Sequence, residues 1–292
     1  MQKKIKWCII YMIFLRGERM ESNMRKLANE IRGLTLECIA SLGSGHIGGS
    51  FSIVDLLTVL YYREMKIDPQ NPLMEDRDRL VVSKGHAGPA VYATLAHRGY
   101  FPKSELLTLN KIGTNLPSHC DMNKTIGIDM TTGSLGQGLS CGVGMALASR
   151  IKNDGSITYV IIGDGELEEG QNWEAAEFAG AQHLDNLIVF LDNNKMQIDD
   201  YTANLTYVGN YVDKWTSFGF DAVEIDGHNY EEITKAIENA KATKGKPHII
   251  ILDTIKGKGV SFIEQAKLGN HSMPITPEQL EQGLKELKTE DK

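Results

Sequence analysis

Ile157-Thr158-Tyr159-Val160-Ile161-Ile162 is a mostly β-branched run that halts at Gly163-Asp164-Gly165. An apolar run of that length, bounded by turn residues, predicts a strand buried on both faces. A helical pattern follows over 172–182. A second apolar run over 187–191 stops at Asp192-Asn193-Asn194. Two more short runs, 222–225 and 248–252, flank a helical stretch over 230–242. Strand and helix alternate, which predicts crossover units and a parallel sheet. The fold class is therefore α/β: a doubly wound, mostly parallel sheet with helices on both faces. Ligands of such sheets sit beyond the carboxyl ends of the strands.

The same reading extends towards the N-terminus. Residues 25–42 form an amphipathic helix, with Leu27, Ile31, Leu34, Cys38 and Ile39 at helical spacing. It stops at Gly43-Ser44-Gly45. A second helix is expected over 52–62, a short strand over 80–83 and a helix over 86–98. The Gly-rich turn Thr131-Thr132-Gly133-Ser134-Leu135-Gly136-Gln137-Gly138 opens another helix that ends near Arg150. No internal repeat or low-complexity tract interrupts the chain.

The 292 residues are 41% hydrophobic and 24% charged, which is globular composition. A net charge of −7 argues against a nucleic-acid partner, since phosphate backbones call for a basic face. Cys8, Cys38, Cys120 and Cys141 include no C-x-x-C pair, and scattered reduced thiols suit a cytoplasmic protein. Residues 1–19 stand apart. Lys3, Lys4 and Lys6 border an apolar run from 5 to 15, too short to span a bilayer and followed by no small-residue cleavage site. They are read as a non-native or disordered leader before Met20, with no membrane association. Residues 20–280 form the domain, and 281–292 are a charged tail.

Two neighbouring strand ends would bring Asp164 and Asn194 side by side. A carboxylate and an amide oxygen are hard ligands that suit Mg²⁺, and the glycines around Asp164 allow main-chain N–H groups to approach a diphosphate. Either motif alone is ordinary turn chemistry. In order, with a crossover helix between them, they are far more specific. Gly163-Asp164-Gly165-Glu166-Leu167-Glu168-Glu169-Gly170, together with Asp192-Asn193-Asn194-Lys195, resembles the thiamine diphosphate signature of the transketolase family. The resemblance implies a thiamine diphosphate-binding fold of the diphosphate-binding type. It implies Mg²⁺, or another divalent ion such as Ca²⁺, Mn²⁺ or Co²⁺, on Asp164, the Asn194 side chain and the Met196 main-chain oxygen. Gly165 and Asn194 would also contact the diphosphate.

Four histidines sit in short polar motifs: Gly45-His46, Gly85-His86, Ser118-His119 and Asn270-His271. Imidazole shuttles protons near neutral pH, although each His alone is more often structural. By the resemblance, His46 and His119 face the sugar, His86 binds the diphosphate, and His271 meets cofactor and substrate. Gly133, Ser134 and Leu135 would cradle the coenzyme rings. The family usually has proline where Ile47 and Ser134 stand. His97, His183, His228 and His248 match no motif and are read as structural or exposed.

The resemblance covers 25–280 and lacks the family's pyrimidine-binding and C-terminal domains. It therefore implies the N-terminal subunit of a split transketolase that transfers a two-carbon ketol unit between sugar phosphates. The C-terminal subunit would be a separate chain, in an α2β2 assembly with the active site at the interface. Glu169 and Glu174 would face that partner's activating glutamate. Alternatives are a deoxyxylulose phosphate synthase-like or keto acid dehydrogenase E1-like subunit, or a non-catalytic cofactor-binding subunit. The histidine pattern favours sugar chemistry over keto acid decarboxylation. The individual sugars stay open.

Overall fold

A computed structural model describes residues 2–206 and 209–289, with side chains from residue 21 onward. The expected leader, 1–19, and Cys8 thus fall outside the described side chains. Eleven α-helices lie in chain order among the described residues. They are α1 (Gln2–Leu42), α2 (Gly48–Phe51), α3 (Val54–Val59), α4 (Gly88–Arg98), α5 (Gln137–Lys152), α6 (Gly170–Ala181), α7 (Thr202–Leu205), α8 (Tyr211–Ser217), α9 (Tyr230–Ala242), α10 (Ser261–Gln265) and α11 (Pro277–Thr289). The strands are β1 (Ser44–Gly45), β2 (Arg79–Val82), β3 (Thr158–Gly163), β4 (Leu187–Asn193), β5 (Asp221–Asp226), β6 (His248–Asp253) and β7 (Met273–Pro274).

Five strands form one sheet in the order β2-β3-β4-β6-β5, and every pairing in it is parallel. Side chains alternate across it, so consecutive residues feed two separate cores. Leu80, Tyr159, Ile161, Phe190, Ile250 and Leu252 join apolar residues of α1, α3, α4 and α9 on one face. Val81, Val160, Ile162, Val189, Leu191 and Ile251 join α5, α6 and Trp215 of α8 on the other. Both faces are covered, which explains the apolar runs over 159–162 in β3 and 187–191 in β4; the buried polar residues Thr158, Asp192 and Asn193 stand at the strand ends.

One local expectation needs correction. The helix expected over 52–62 is broken: α2 begins earlier, at Gly48, and Ile53 leaves helical geometry at φ −103°, ψ 2°. Ser52 at the break donates its hydroxyl to Asp192 Oδ2 at 2.6 Å, a tertiary bond that takes priority over helical continuity. The chain then closes in a π-helical turn, Leu60–Glu64. Separate from the five-stranded sheet is a two-stranded antiparallel ribbon in which β1 pairs with β7. Two-residue strands give no periodicity to read.

The segment read as a charged tail begins inside α11. Gly283 and Leu287 of that helix are buried, and a Cβ on Gly283 would lie 2.6 Å from Leu36 Cδ2 of α1. Cys38, Cys120 and Cys141 are free thiols. No helix among the described residues is long and apolar enough to cross a membrane.

Candidate active site

Four polar segments leave the carboxyl ends of adjacent strands and meet at one cavity of about 280 Å³. Ser83 to His86 follow β2, Asp164 to Glu166 follow β3, Asn194 to Ile198 follow β4, and Thr254 to Lys256 follow β6. His46, just after β1, and His271, just before β7, reach the same cavity, and the β1–β7 ribbon ties them together. The His46 ring centroid lies 5.3 Å from those of His86 and His271 and 5.8 Å from that of His119. His86 and His271 are 5.2 Å apart.

Of the residues expected at the site, His46, His86, His119, Gly133, Leu135, Asp164, Gly165, Asn194, Met196 and His271 all line this cavity. Ser134, Glu169 and Glu174 do not. All three are exposed, the two glutamates at the start of α6 and along it. Close main-chain approach is built in. A Cβ on Gly165 would stand 2.8 Å from Gln197 Cβ, and one on Gly133 would stand 3.2 Å from His119 Cδ2.

Asp164 is buried and accepts main-chain hydrogen bonds from Gly165 (2.8 Å) and Lys195 (2.5 Å). Burial, then the neighbouring Asp192 carboxylate, pushes its carboxyl up to about 7. Asn194 donates its amide to Asp192 Oδ2 at 3.0 Å, and its Oδ1 accepts only a long 3.2 Å bond from Met196 N. One buried carboxylate, one amide oxygen and one main-chain carbonyl are a hard-oxygen set that fits Mg²⁺ with water and phosphate completing the shell. Among the described residues no group of three or more His, Cys, Asp or Glu stands where it could hold a metal.

Sequence reading missed the buried ions behind these ligands. Lys84 pairs with Asp192 Oδ2 at 2.5 Å, both side chains almost wholly buried, and also donates to the Gly49 carbonyl at 2.7 Å. Burial opposes the charge on Asp192, but Lys84 and the hydroxyls of Ser52 and Thr254 hold its carboxyl below the ordinary value. Glu166 is equally buried. It accepts from Ser83 Oγ, from Gly136 N at 2.7 Å and from Gly163 N at 3.0 Å, and so locks the Gly-rich turn to the end of β3. Lys256 lines the cavity and pairs with no described carboxylate; it gives a 3.4 Å bond to the Met196 carbonyl. Burial lowers its pKa to about 8. A buried cation of this kind calls for an anion.

Burial, followed by nearby cationic and imidazole groups, lowers the pKa of His46, takes His86 well below its usual range and brings His271 to about 4. At neutral pH these rings are uncharged, each with one donor and one acceptor. The cavity thus combines an oxygen-ligand set, a buried cation and neutral imidazoles suited to sugar hydroxyls.

Comparison with known proteins identifies the family of the chain. The model of the family "Transketolase, thiamine diphosphate binding domain" matches residues 23–291. The chain is 57% identical over 268 residues to the 6-deoxy-6-sulfo-D-fructose transketolase subunit SqwG of Clostridium sp. (strain MSTE9), covering 92% of this chain and 97% of that subunit. It is 39% identical to an apulose-4-phosphate transketolase subunit from Phocaeicola vulgatus, over 86% of this chain and 89% of that one. The solved transketolase from Leishmania mexicana superposes with a TM-score of 0.83 at 34% identity; the match covers 92% of this chain but 41% of that longer one. The chain belongs to the transketolase family, as its thiamine diphosphate-binding domain.

Proposed function

We propose that this chain is the N-terminal, diphosphate-binding subunit of a two-subunit transketolase. The enzyme would transfer a two-carbon ketol unit from a ketose bearing a terminal anion to an aldose phosphate. Its subunit-sized relatives support this reading, since the chain spans nearly all of each of them and well under half of a full-length transketolase. The pyrimidine-binding half would come from a partner chain, with α2β2 stoichiometry and a cytoplasmic setting. The sulfo-ketose named for the 57% identical relative is the first donor to test.

When bound, thiamine diphosphate supplies the carbon nucleophile and electron sink that ketol transfer needs. This chain's residues hold and orient. Asp164, the Asn194 amide oxygen and the Met196 carbonyl would take Mg²⁺, in a templating role. Gly165, Asn194, His86 and Lys256 would bind the diphosphate, and Gly133 and Leu135 the rings. His46, His119 and His271 would orient sugar hydroxyls and take or return their protons. Glu169 and Glu174 would meet the partner at the exposed edge of α6.

One observation carries the reading: four imidazoles and the Asp164–Asn194 pair share one cavity at the carboxyl end of a parallel sheet. The test mixes this chain with its partner, Mg²⁺ and thiamine diphosphate. Calorimetry should register coenzyme uptake that Asp164→Ala abolishes. A donor panel including 6-deoxy-6-sulfo-D-fructose and common ketose phosphates should then identify the substrate. No uptake by the reconstituted pair overturns the proposal.

A further inference from the structure

Lys256 enters the cavity on a loop, 254–259, rather than on a helix or strand. Thr254 Oγ1 donates to Asp192 Oδ1 at 2.5 Å, Asn270 Nδ2 to the Lys256 carbonyl at 2.9 Å, and Gly257 N–H to the Gly48 carbonyl at 3.1 Å. Two further bonds grip the loop on either side of Lys256. Ile255 N–H donates to His228 Nε2 at 2.9 Å, and Arg32 Nε donates to the Lys258 carbonyl at 2.9 Å.

These two grips share one anchor. A main-chain N–H only donates, so His228 Nε2 must be the bare nitrogen and Nδ1 must carry the proton. Nδ1 in turn donates to Asp55 Oδ2 at 2.7 Å. The remaining Arg32 nitrogens hold the same carboxylate in a fork, at 3.0 and 2.6 Å, and Tyr230 completes it at 2.6 Å. Asp55 is buried and accepts four hydrogen bonds, so its orientation is fixed. Gly227 lets the turn bearing His228 lie against the loop, because a Cβ there would be 2.5 Å from Thr254 Cγ2. The loop lines a second, polar cavity of about 350 Å³ with Lys258 and Gly259, beside Asp55, His228 and Tyr230.

We propose that Asp55 and His228 are positioning residues. With Arg32 they fix the 254–259 loop on both sides of Lys256 and so set where its ammonium stands in the coenzyme cavity. The proposal rests on the reading of that cavity given above. A purely structural role would lower stability without acting through Lys256.

His228→Leu removes both imidazole bonds, whereas His228→Gln keeps one donor and one acceptor. In the full chain, hydrogen exchange of the 255–258 amides should speed up about tenfold in His228→Leu, the loss of one hydrogen bond, and return towards wild type in His228→Gln. In the complex with the partner chain, calorimetric affinity for thiamine diphosphate should fall roughly tenfold in His228→Leu and recover in His228→Gln. With Lys256→Ala already in place, His228→Leu should add nothing. Should His228→Leu fail to fold, His228→Asn, too short to bridge Asp55 and Ile255, carries the same comparison. Unchanged loop exchange, or an affinity loss equally large with and without Lys256, overturns the proposal. A wild-type complex that takes up no coenzyme overturns the functional reading instead, and loop exchange then decides the clamp by itself.

Discussion

Burial and the adjacent Asp192 carboxylate push the Asp164 carboxyl up to about 7, whereas an unfolded aspartate titrates near 4. The folded, metal-free chain therefore holds that proton more tightly than the unfolded chain does. Its stability falls as pH rises from about 4 to about 7 through this residue, and a bound divalent ion reverses the effect. Asp164→Asn removes the cost. Without metal, the variant should melt several degrees above wild type at about pH 8 and show a smaller difference at about pH 5, as followed by thermal unfolding. Mg²⁺ uptake by wild type should weaken as pH drops below about 7, and the variant should show none. The other buried ions tell the opposite story. Lys84 and Asp192 neutralise each other, and removing either partner would strand a charge in the protein interior.

At the scale of elements, the glycines of α5 and α6 separate sharply by what surrounds them. A Cβ on Gly180 would sit 1.7 Å from the Phe218 carbonyl oxygen, so α6 lies directly on the turn after α8. Gly144 of α5 has nothing within 4 Å of the same position. Gly180→Ala should cost about 2–3 kcal/mol through overpacking, whereas Gly144→Ala should stabilise by up to about 1 kcal/mol through helix propensity. Urea midpoints compare the two directly. Elements of this size are legible in sequence because burial imposes a period: the apolar run of β3 and the turn at Gly163 to Gly165 follow from it. So does the meeting of Asp164 and Asn194, since both leave neighbouring parallel strands. The β1–β7 ribbon and the break at Ser52 and Ile53 were illegible, because each depends on a partner far away in the chain. The same reason hid Lys84, Glu166 and Lys256. A lysine or glutamate in sequence reads as surface, and nothing near Lys84 announces Asp192. His228 read as structural or exposed because its partners, Asp55 and Ile255, come from two other segments.

For the molecule as a whole, Asp55 is where distant segments converge: Arg32 from α1, His228 from the turn after β5, and Tyr230 from α9. Burial works against its charge, but the Arg32 guanidinium and His228 hold its carboxyl well below the usual carboxylate range. A depressed value means stability that is complete above about pH 4 and is lost as acid protonates the native carboxylate. Asp55→Asn should lower neutral-pH stability by about 3–5 kcal/mol, because Arg32 is left buried without its counter-charge. It should also flatten the acid limb of the stability profile, as chemical denaturation from about pH 7 down to about pH 3 would reveal. The pairing of Ser44 and Gly45 with Met273 and Pro274 brings one further consequence. His46 and His271, from segments far apart in the sequence, are held as neighbours across this ribbon. A polypeptide cut before Met273 could not form that pairing, and His271 would lose the strand that holds it beside His46.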